Sequence, residues 1–391
     1  MQCLAQELVD RIIDILADAP ARRAAAKRTL AACTLVARAW LPRSSTHLFE
    51  RVAVRAEDAP RFLAELRACP RLVANVAELV LTAGPAVGLE GVAAFLRLGP
   101  PRLRRIDYQD QLLLSGSPGA PDMKRFGAPE VGYHRLARLE LFAVDAFTLS
   151  ELLANFDVVD TLVLDPQYRY PFYRARAESP WPIPKHLRIG RLVLADVAAA
   201  SALGYTRVLR THLLPSALKE VAFKGFCADK DVPHVNEALV DLCSGIETLS
   251  LCFYDKDITI DPEQTLSRKY YLSALAHCTH LRTLSISFVD CRQPQQFPWA
   301  CTSILPYLPP SLRQLTLVLS GPADLRRLVH ARLDAFERCL AACPQLGALH
   351  VRVAGAAMWA GPERKLFDEM RLALPKVLSG RLAALTSVVL L

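Results

Sequence analysis

The sequence predicts an α/β solenoid with mainly parallel strands, preceded by a small all-α unit. Three observations predict it. A six-residue pattern, apolar-x-x-apolar-x-apolar, recurs along the chain; the segments between copies carry helical periodicity; and the first fifty or so residues break the rhythm. The copies are VAELVL ending at Leu81, LRRIDY at Tyr108, LARLEL at Leu141, VDTLVL at Leu164, IGRLVL at Leu194 and LKEVAF at Phe223. They continue with IETLSL at Leu251, LRTLSI at Ile286, LRQLTL at Leu317, LGALHV at Val351 and LTSVVL at Leu390. Successive copies start 23 to 39 residues apart. That spacing holds one short strand, a turn and one helix, which is the unit of a repeat array. The last three positions of each copy alternate in, out, in, as a strand with one buried face requires.

Between copies, DAPRFLAELRAC, HVNEALVDLCSGI and RLDAFERCLAACPQL place apolar residues at three- and four-residue steps. Each such helix covers one side of the strand layer. Cys69, Cys243, Cys278 and Cys343 precede their copies at equivalent places and read as small apolar plugs where a helix ends. Before the array, helical periodicity runs from Glu7 to Leu16 and stops at Asp18-Ala19-Pro20. A basic link with Arg22, Arg23, Lys27 and Arg28 follows, and Thr29 reads as the N-cap of a second helix, LAACTLVARAW. The division expected is therefore residues 1–50, helical, and residues 51–391, the array.

Composition narrows the classes. Of 391 residues, 52% are apolar and 22% charged, which excludes a disordered chain, a collagen and a disulfide-stapled miniprotein. The 47 Lys and Arg exceed the 39 Asp and Glu by a net +8, but the excess is spread out and only ten residues are lysines. A spread excess does not make a phosphate-binding surface, so nucleic acid is disfavoured as a partner. Eleven cysteines, an odd number set in apolar segments, read as reduced thiols in a cytoplasmic or nuclear protein. Glu7 and Asp10 stand where a signal peptide is apolar, and no run approaches a membrane span, so neither secretion nor a membrane partner is expected.

The N-terminal segment resembles an F-box domain, particularly the fungal type fused to divergent leucine-rich repeats. Leu4, Glu7 and Leu8 open the first helix, an Ile12-Ile13 pair follows, then Cys33, Leu35, Val36, Arg38 and Trp40, and an exit of Leu48, Phe49 and Val52. The family usually has Pro after the opening Leu; here that position is Ala5. The resemblance implies that this unit binds a Skp-type adaptor within a cullin complex, while the downstream repeats select an unknown protein target for ubiquitin transfer. It places the adaptor contact at Leu4, Leu8, Ile12, Leu16, Leu30, Val36 and Trp40. The residues agree to this extent: so short a helical unit cannot bury all these side chains itself. The alternative is that they pack on the first repeat as the cap an array needs.

Two places in the array read as target-binding. Long insertions interrupt it at about 109–133, 165–186, 253–271 and 288–311, each beginning where a repeat strand ends. The second holds Tyr168, Tyr170, Phe172, Tyr173 and Trp181 among Arg169, Arg174 and Arg176, the residue types enriched in interface hot spots; anchoring this Pro-rich loop on its own repeat is the equal alternative. The outward strand positions Thr248, Ser250, Thr283 and Ser285, with Gln314 and Thr316, make a hydroxyl-rich face suited to a protein or peptide.

No catalytic residue is assigned. The sequence lacks a G-x-S-x-G elbow, a phosphate-binding G-x-x-x-x-G-K loop, a G-x-G-x-x-G fingerprint and an H-E-x-x-H helix. His277, Cys278, His280 and Cys291 lack a second ligand pair at metal-site spacing, so no metal and no cofactor is expected. Three readings follow from these residues. One is a non-catalytic substrate receptor of a cullin-RING ligase; the second is a repeat scaffold that binds partners without ubiquitin transfer; the third, which the pI of about 9.0 and the aromatic and Arg loop motivate, is a solenoid that binds nucleic acid.

Overall fold

The computed structural model describes residues 5–18, 23–83, 88–110, 133–142, 144, 146–165, 187–195, 205–207, 209–210, 213–214, 216–226, 228–254, 272–289, 304–319, 326, 333–354, 361–378 and 380–390. The fold is α/β. Three helices open the chain, α1 (Gln6–Asp18), α2 (Arg23–Val36) and α3 (Leu41–Glu50). Twelve strands follow: β1 (Arg51–Arg55), β2 (Glu78–Ala83), β3 (Arg105–Asp110), β4 (Tyr133–Phe142), β5 (Phe156–Asp165) and β6 (Arg188–Ala195), then β7 (Glu220–Phe226), β8 (Thr248–Tyr254), β9 (Thr283–Val289), β10 (Gln314–Leu319), β11 (Ala348–Val353) and β12 (Thr386–Leu390). Their order in the sheet is their order in the chain, and every described pairing is parallel.

All eleven sequence copies are strands, and there is one more. β1 lies in register with β2, Val52 opposite Leu79 and Val54 opposite Leu81. Its sequence, Phe49-Glu-Arg-Val52-Ala-Val54, fits the same six-residue pattern. One backbone bond between directly opposed residues repeats at several strand starts and keeps their register common. The N–H of Arg104 donates to Ala77 O, Glu247 to Lys219, Arg282 to Glu247, Arg313 to Arg282 and Gly347 to Arg313, at 2.8–2.9 Å. Because side chains alternate with period two, this shared register sends equivalent residues to the same face in every strand.

The described residues fall into two compact units, those up to Asp160 and those from Thr161 onward. In the first, Leu79, Ile106 and Leu139 are opposed across β2, β3 and β4 and buried, beneath α4 (Ala59–Ala68), which supplies Leu63 and Leu66, and α6 (Gly88–Leu96), which supplies Val92 and Phe95. Between them lies α5 (Pro70–Val73). An α7 (Ala146–Leu153) precedes β5. In the second unit a row of Leu192, Val221, Leu249, Leu284, Leu315 and Leu349 runs through six strands, entirely buried. Between these strands in the chain, α8 (Ala228–Leu242) packs against a short 3-10 turn at Ser273–His277, which precedes β9, and α9 (Leu333–Ala341) against another at Leu305–Tyr307, which precedes β10. Two helices, α10 (Gly361–Val377) and α11 (Gly380–Leu385), lead into β12.

Several expectations are corrected. Thr29 is not an N-cap: α2 already begins at Arg23, carried back by the strong helix formers Ala24, Ala25 and Ala26, and the Thr29 hydroxyl donates to Ala25 O at 3.1 Å inside the helix. The same helix stops at Val36, so Trp40 lies in the turn before α3 rather than in a continuous second helix. Of the four cysteine plugs, Cys278 and Cys343 are fully buried, Cys243 is half-buried and Cys69 is exposed. The insertion of α5 explains Cys69, since Val73 takes the buried place before β2.

Candidate protein-binding surfaces

The N-terminal unit is held by a small core. Val9, Ile13 and Leu30 are buried, and Ala17, Trp40 and Leu48 pack against them half-buried. On α1 these residues take one side of the helix. Leu8, Ile12 and Ile15 are spaced four and three residues apart on another, and their exposures are 51%, 41% and 64%. Leu35 and Val36 at the end of α2, and Leu41 at the start of α3, are exposed too. Among the described residues nine large apolar side chains are exposed, and six of them fall on these three helices. A monomeric surface does not concentrate apolar side chains in this way without a use for them.

Of the residues the resemblance assigns to the adaptor, Leu8, Ile12 and Val36 are thus uncovered, Leu16 and Trp40 are half-buried, and Leu30 is in the unit's own core. Leu4 lies outside the described residues. Sequence reasoning missed Ile15, Leu35 and Leu41; the three-residue step from Ile12 was the available signal for Ile15. Ala5 stands just ahead of α1, and its carbonyl accepts the N–H groups of Leu8 and Val9 at 3.0 and 3.2 Å. A proline there would offer the same carbonyl, so Ala5 loses only the fixed entry angle of the chain.

An ionic cluster ties the helices together. The Arg43 guanidinium donates to both Asp14 oxygens, at 2.7 and 2.8 Å, and His47 Nε2 donates to Asp14 at 2.7 Å. The Arg43 bonds first, and the His47 bond second, hold the Asp14 carboxyl down at about 2. His47 also lies 3.7 Å from Glu50, which takes Arg104 at 2.8 Å.

The outward face of β2–β4 is closed upon itself electrostatically. Arg105 bonds Asp107 on its own strand at 2.7 Å and Glu140 on β4 at 3.1 Å, and Glu140 also accepts from Arg138. Arg51 lies 3.8 Å from Glu78. Asp107 and Glu140, opposed in register, are buried. Burial pushes the Asp107 carboxyl up, and the Arg105 bond opposes this without cancelling it. Among the described residues, three cations, Arg51, Arg105 and Arg138, face three anions, Glu78, Asp107 and Glu140, and each is engaged. The sequence reading had not singled out this network, because its members are ordinary surface residue types until the register aligns them.

The outward face of the second unit differs. Its middle row passes from apolar to hydroxyl: Val163, Val193 and Ala222 form a buried cluster, and then come Ser250, Ser285, Thr316, His350 and Ser387 in register. The row on its N-terminal side holds Thr248, Thr283 and Gln314. The predicted target residues Thr248, Ser250, Thr283 and Ser285 are thus adjacent on two strands and half-buried. His350 Nδ1 lies 2.6 Å from Ser387 Oγ. The aromatic and Arg loop, Tyr168, Arg169, Tyr170, Phe172, Tyr173, Arg174, Arg176 and Trp181, lies outside the described residues.

Among the described residues no group of three or more His, Cys, Asp or Glu is arranged to hold a metal ion, and no helix is long and apolar enough to cross a membrane. Burial pushes the Cys278 thiol up to about 12, which keeps it protonated and unreactive. No protein family matches the chain, and no curated protein matches it in sequence.

Proposed function

We propose that the chain is the non-catalytic target-recognition subunit of a cullin-RING ubiquitin ligase: an F-box unit in α1–α3 that binds a Skp-type adaptor, followed by a leucine-rich-repeat-like solenoid whose outward strand face binds a protein target. The observation that carries the reading is the uncovered apolar surface of Leu8, Ile12, Ile15, Leu35, Val36 and Leu41 on a helical unit that already has a core of its own. An N-terminal cap folded onto its neighbouring repeat would have buried these side chains. In such a complex the receptor contributes proximity and orientation, which requires no nucleophile of its own. The ligand it presents to the ligase is a protein, and the hydroxyl-lined strands from β8 to β10 are the surface that takes it.

The test is a binding measurement with a purified Skp-type adaptor. The wild-type chain is expected to bind it, and Ile12→Asp, at an already exposed position, to lose that binding while keeping its unfolding curve. Equal binding by the variant moves the contact away from α1. Absence of binding by the wild type overturns the ligase reading in favour of a scaffold that acts without ubiquitin transfer.

A further inference from the structure

The two units treat charge on their outward faces differently. In the first, Arg51, Arg105 and Arg138 are taken up by Glu78, Asp107 and Glu140. In the second, Arg191 takes Glu220 at 3.0 Å, while Lys224 on β7 and Arg352 on β11 are exposed and have no ion pair among the described residues. They belong to one row. Lys224 is opposed to Cys252, Cys252 to Ser287, Ser287 to Val318 and Val318 to Arg352. Four strand spacings separate the two cations, about 19 Å at about 4.8 Å each.

A local irregularity fixes the first of them. The register of β7 against β8 shifts between Lys224 and Phe226, where Gly225 takes φ 75. Glycine adopts that left-handed conformation without the Cβ clash other residues meet, and a bulge re-aims the side chain beside it. The neighbouring rows, Thr248, Thr283, Ser250 and Ser285, present hydroxyls that both donate and accept, the complement of a peptide backbone crossing the strands.

We propose that the face from β7 to β11 docks an extended acidic peptide segment, with one carboxylate at Lys224 and a second, about six residues along, at Arg352. The spacing follows from the span, since an extended chain advances about 3.3 Å per residue. Single, separated cations match single carboxylates. A phosphorylated segment calls for clustered arginines, and a nucleic acid for a continuous line of charge. This inference rests on the reading of the strand face as the target surface and is independent of what α1–α3 bind.

A library of random dodecapeptides displayed on phage and panned against the full-length chain tests it. The selected peptides are expected to carry two Asp or Glu about six positions apart. The best of them, synthesised with fluorescein and followed by polarisation, is expected to bind about tenfold more weakly to Lys224→Glu and to Arg352→Glu, and to weaken as salt rises. Both substitutions are at exposed positions, and circular dichroism and thermal unfolding verify that they fold. Failure to select any binder, selection without an acidic pair, or binding by the double variant within twofold of wild type overturns the inference. Adaptor binding is measured on the same preparations. Peptide binding without adaptor binding defeats only the ligase reading; adaptor binding without peptide binding defeats only this one.

Discussion

Replacing Leu284 by Ala tests the register on which the whole array depends. Leu284 is completely buried, opposed to Leu249 on one side and Leu315 on the other. The substitution deletes three carbons, about 2.4 kcal/mol at about 0.8 kcal/mol each. The neighbouring strands cannot close on the vacated space, since Arg282 N–H holds Glu247 O and Arg313 N–H holds Arg282 O, both at 2.8 Å. A cavity term is therefore added, bringing the cost to about 3–4 kcal/mol, inside the range of about 2–5 kcal/mol for buried leucines. In a repeat array each unit leans on its neighbours, so the loss is shared by β8, β9 and β10. Native-state amide exchange reads it directly: the opening of those three strands is expected to become more favourable by about 100-fold or more. Ser285→Ala is the internal comparison, one residue along and on the opposite face, where the change is expected to stay within about 0.5 kcal/mol. Exchange in Leu284→Ala within threefold of wild type, or a larger effect at Ser285, would refute the assignment of faces.

Two further outcomes follow from the helical unit. Ser44 is fully buried and its hydroxyl has no hydrogen-bond partner among the described residues, so Ser44→Ala is expected to raise stability by about 1 kcal/mol, read as a shift in the urea midpoint at unchanged slope. Asp14 is held at about 2, below its ordinary 3.8, first by Arg43 and then by His47; its contribution is therefore present above about pH 4 and lost as pH falls towards 2. The Asp14 side chain is 36% exposed, so solvent screening limits the effect to under about 1 kcal/mol, and Asp14→Asn is expected to flatten the acid limb of the stability profile between those pH values.

The positions of the strands were legible in the sequence because the buried face of a strand writes itself as alternation, and the eleven copies of the six-residue pattern all coincide with strands. The helices were less legible where propensity and capping compete. Thr29 looks like a cap in isolation, but three preceding alanines extend the helix past it. The plug at Cys69 failed because burial is a property of what sits opposite, and α5 intervenes before β2; Cys243 is half-buried where the sequence predicts a plug. The resemblance drew attention to Leu8, Ile12 and Val36, and only folding shows which of the assigned side chains the unit keeps for itself, Leu30 among them.

The sequence by itself determined the period, the strand faces and the separation of a helical start from a repeating remainder, since each is a local consequence of where apolar residues recur. What the outward faces carry was decided by the tertiary structure. Glu140 is far in the chain from Arg105 and Asp107, and the three become one closed network only because β3 and β4 align Asp107 with Glu140. Lys224 and Arg352 are 128 residues apart and fall in one row only because four successive pairings carry the register between them. Charge compensation acts over a few ångströms of space, and one-dimensional spacing does not encode that distance.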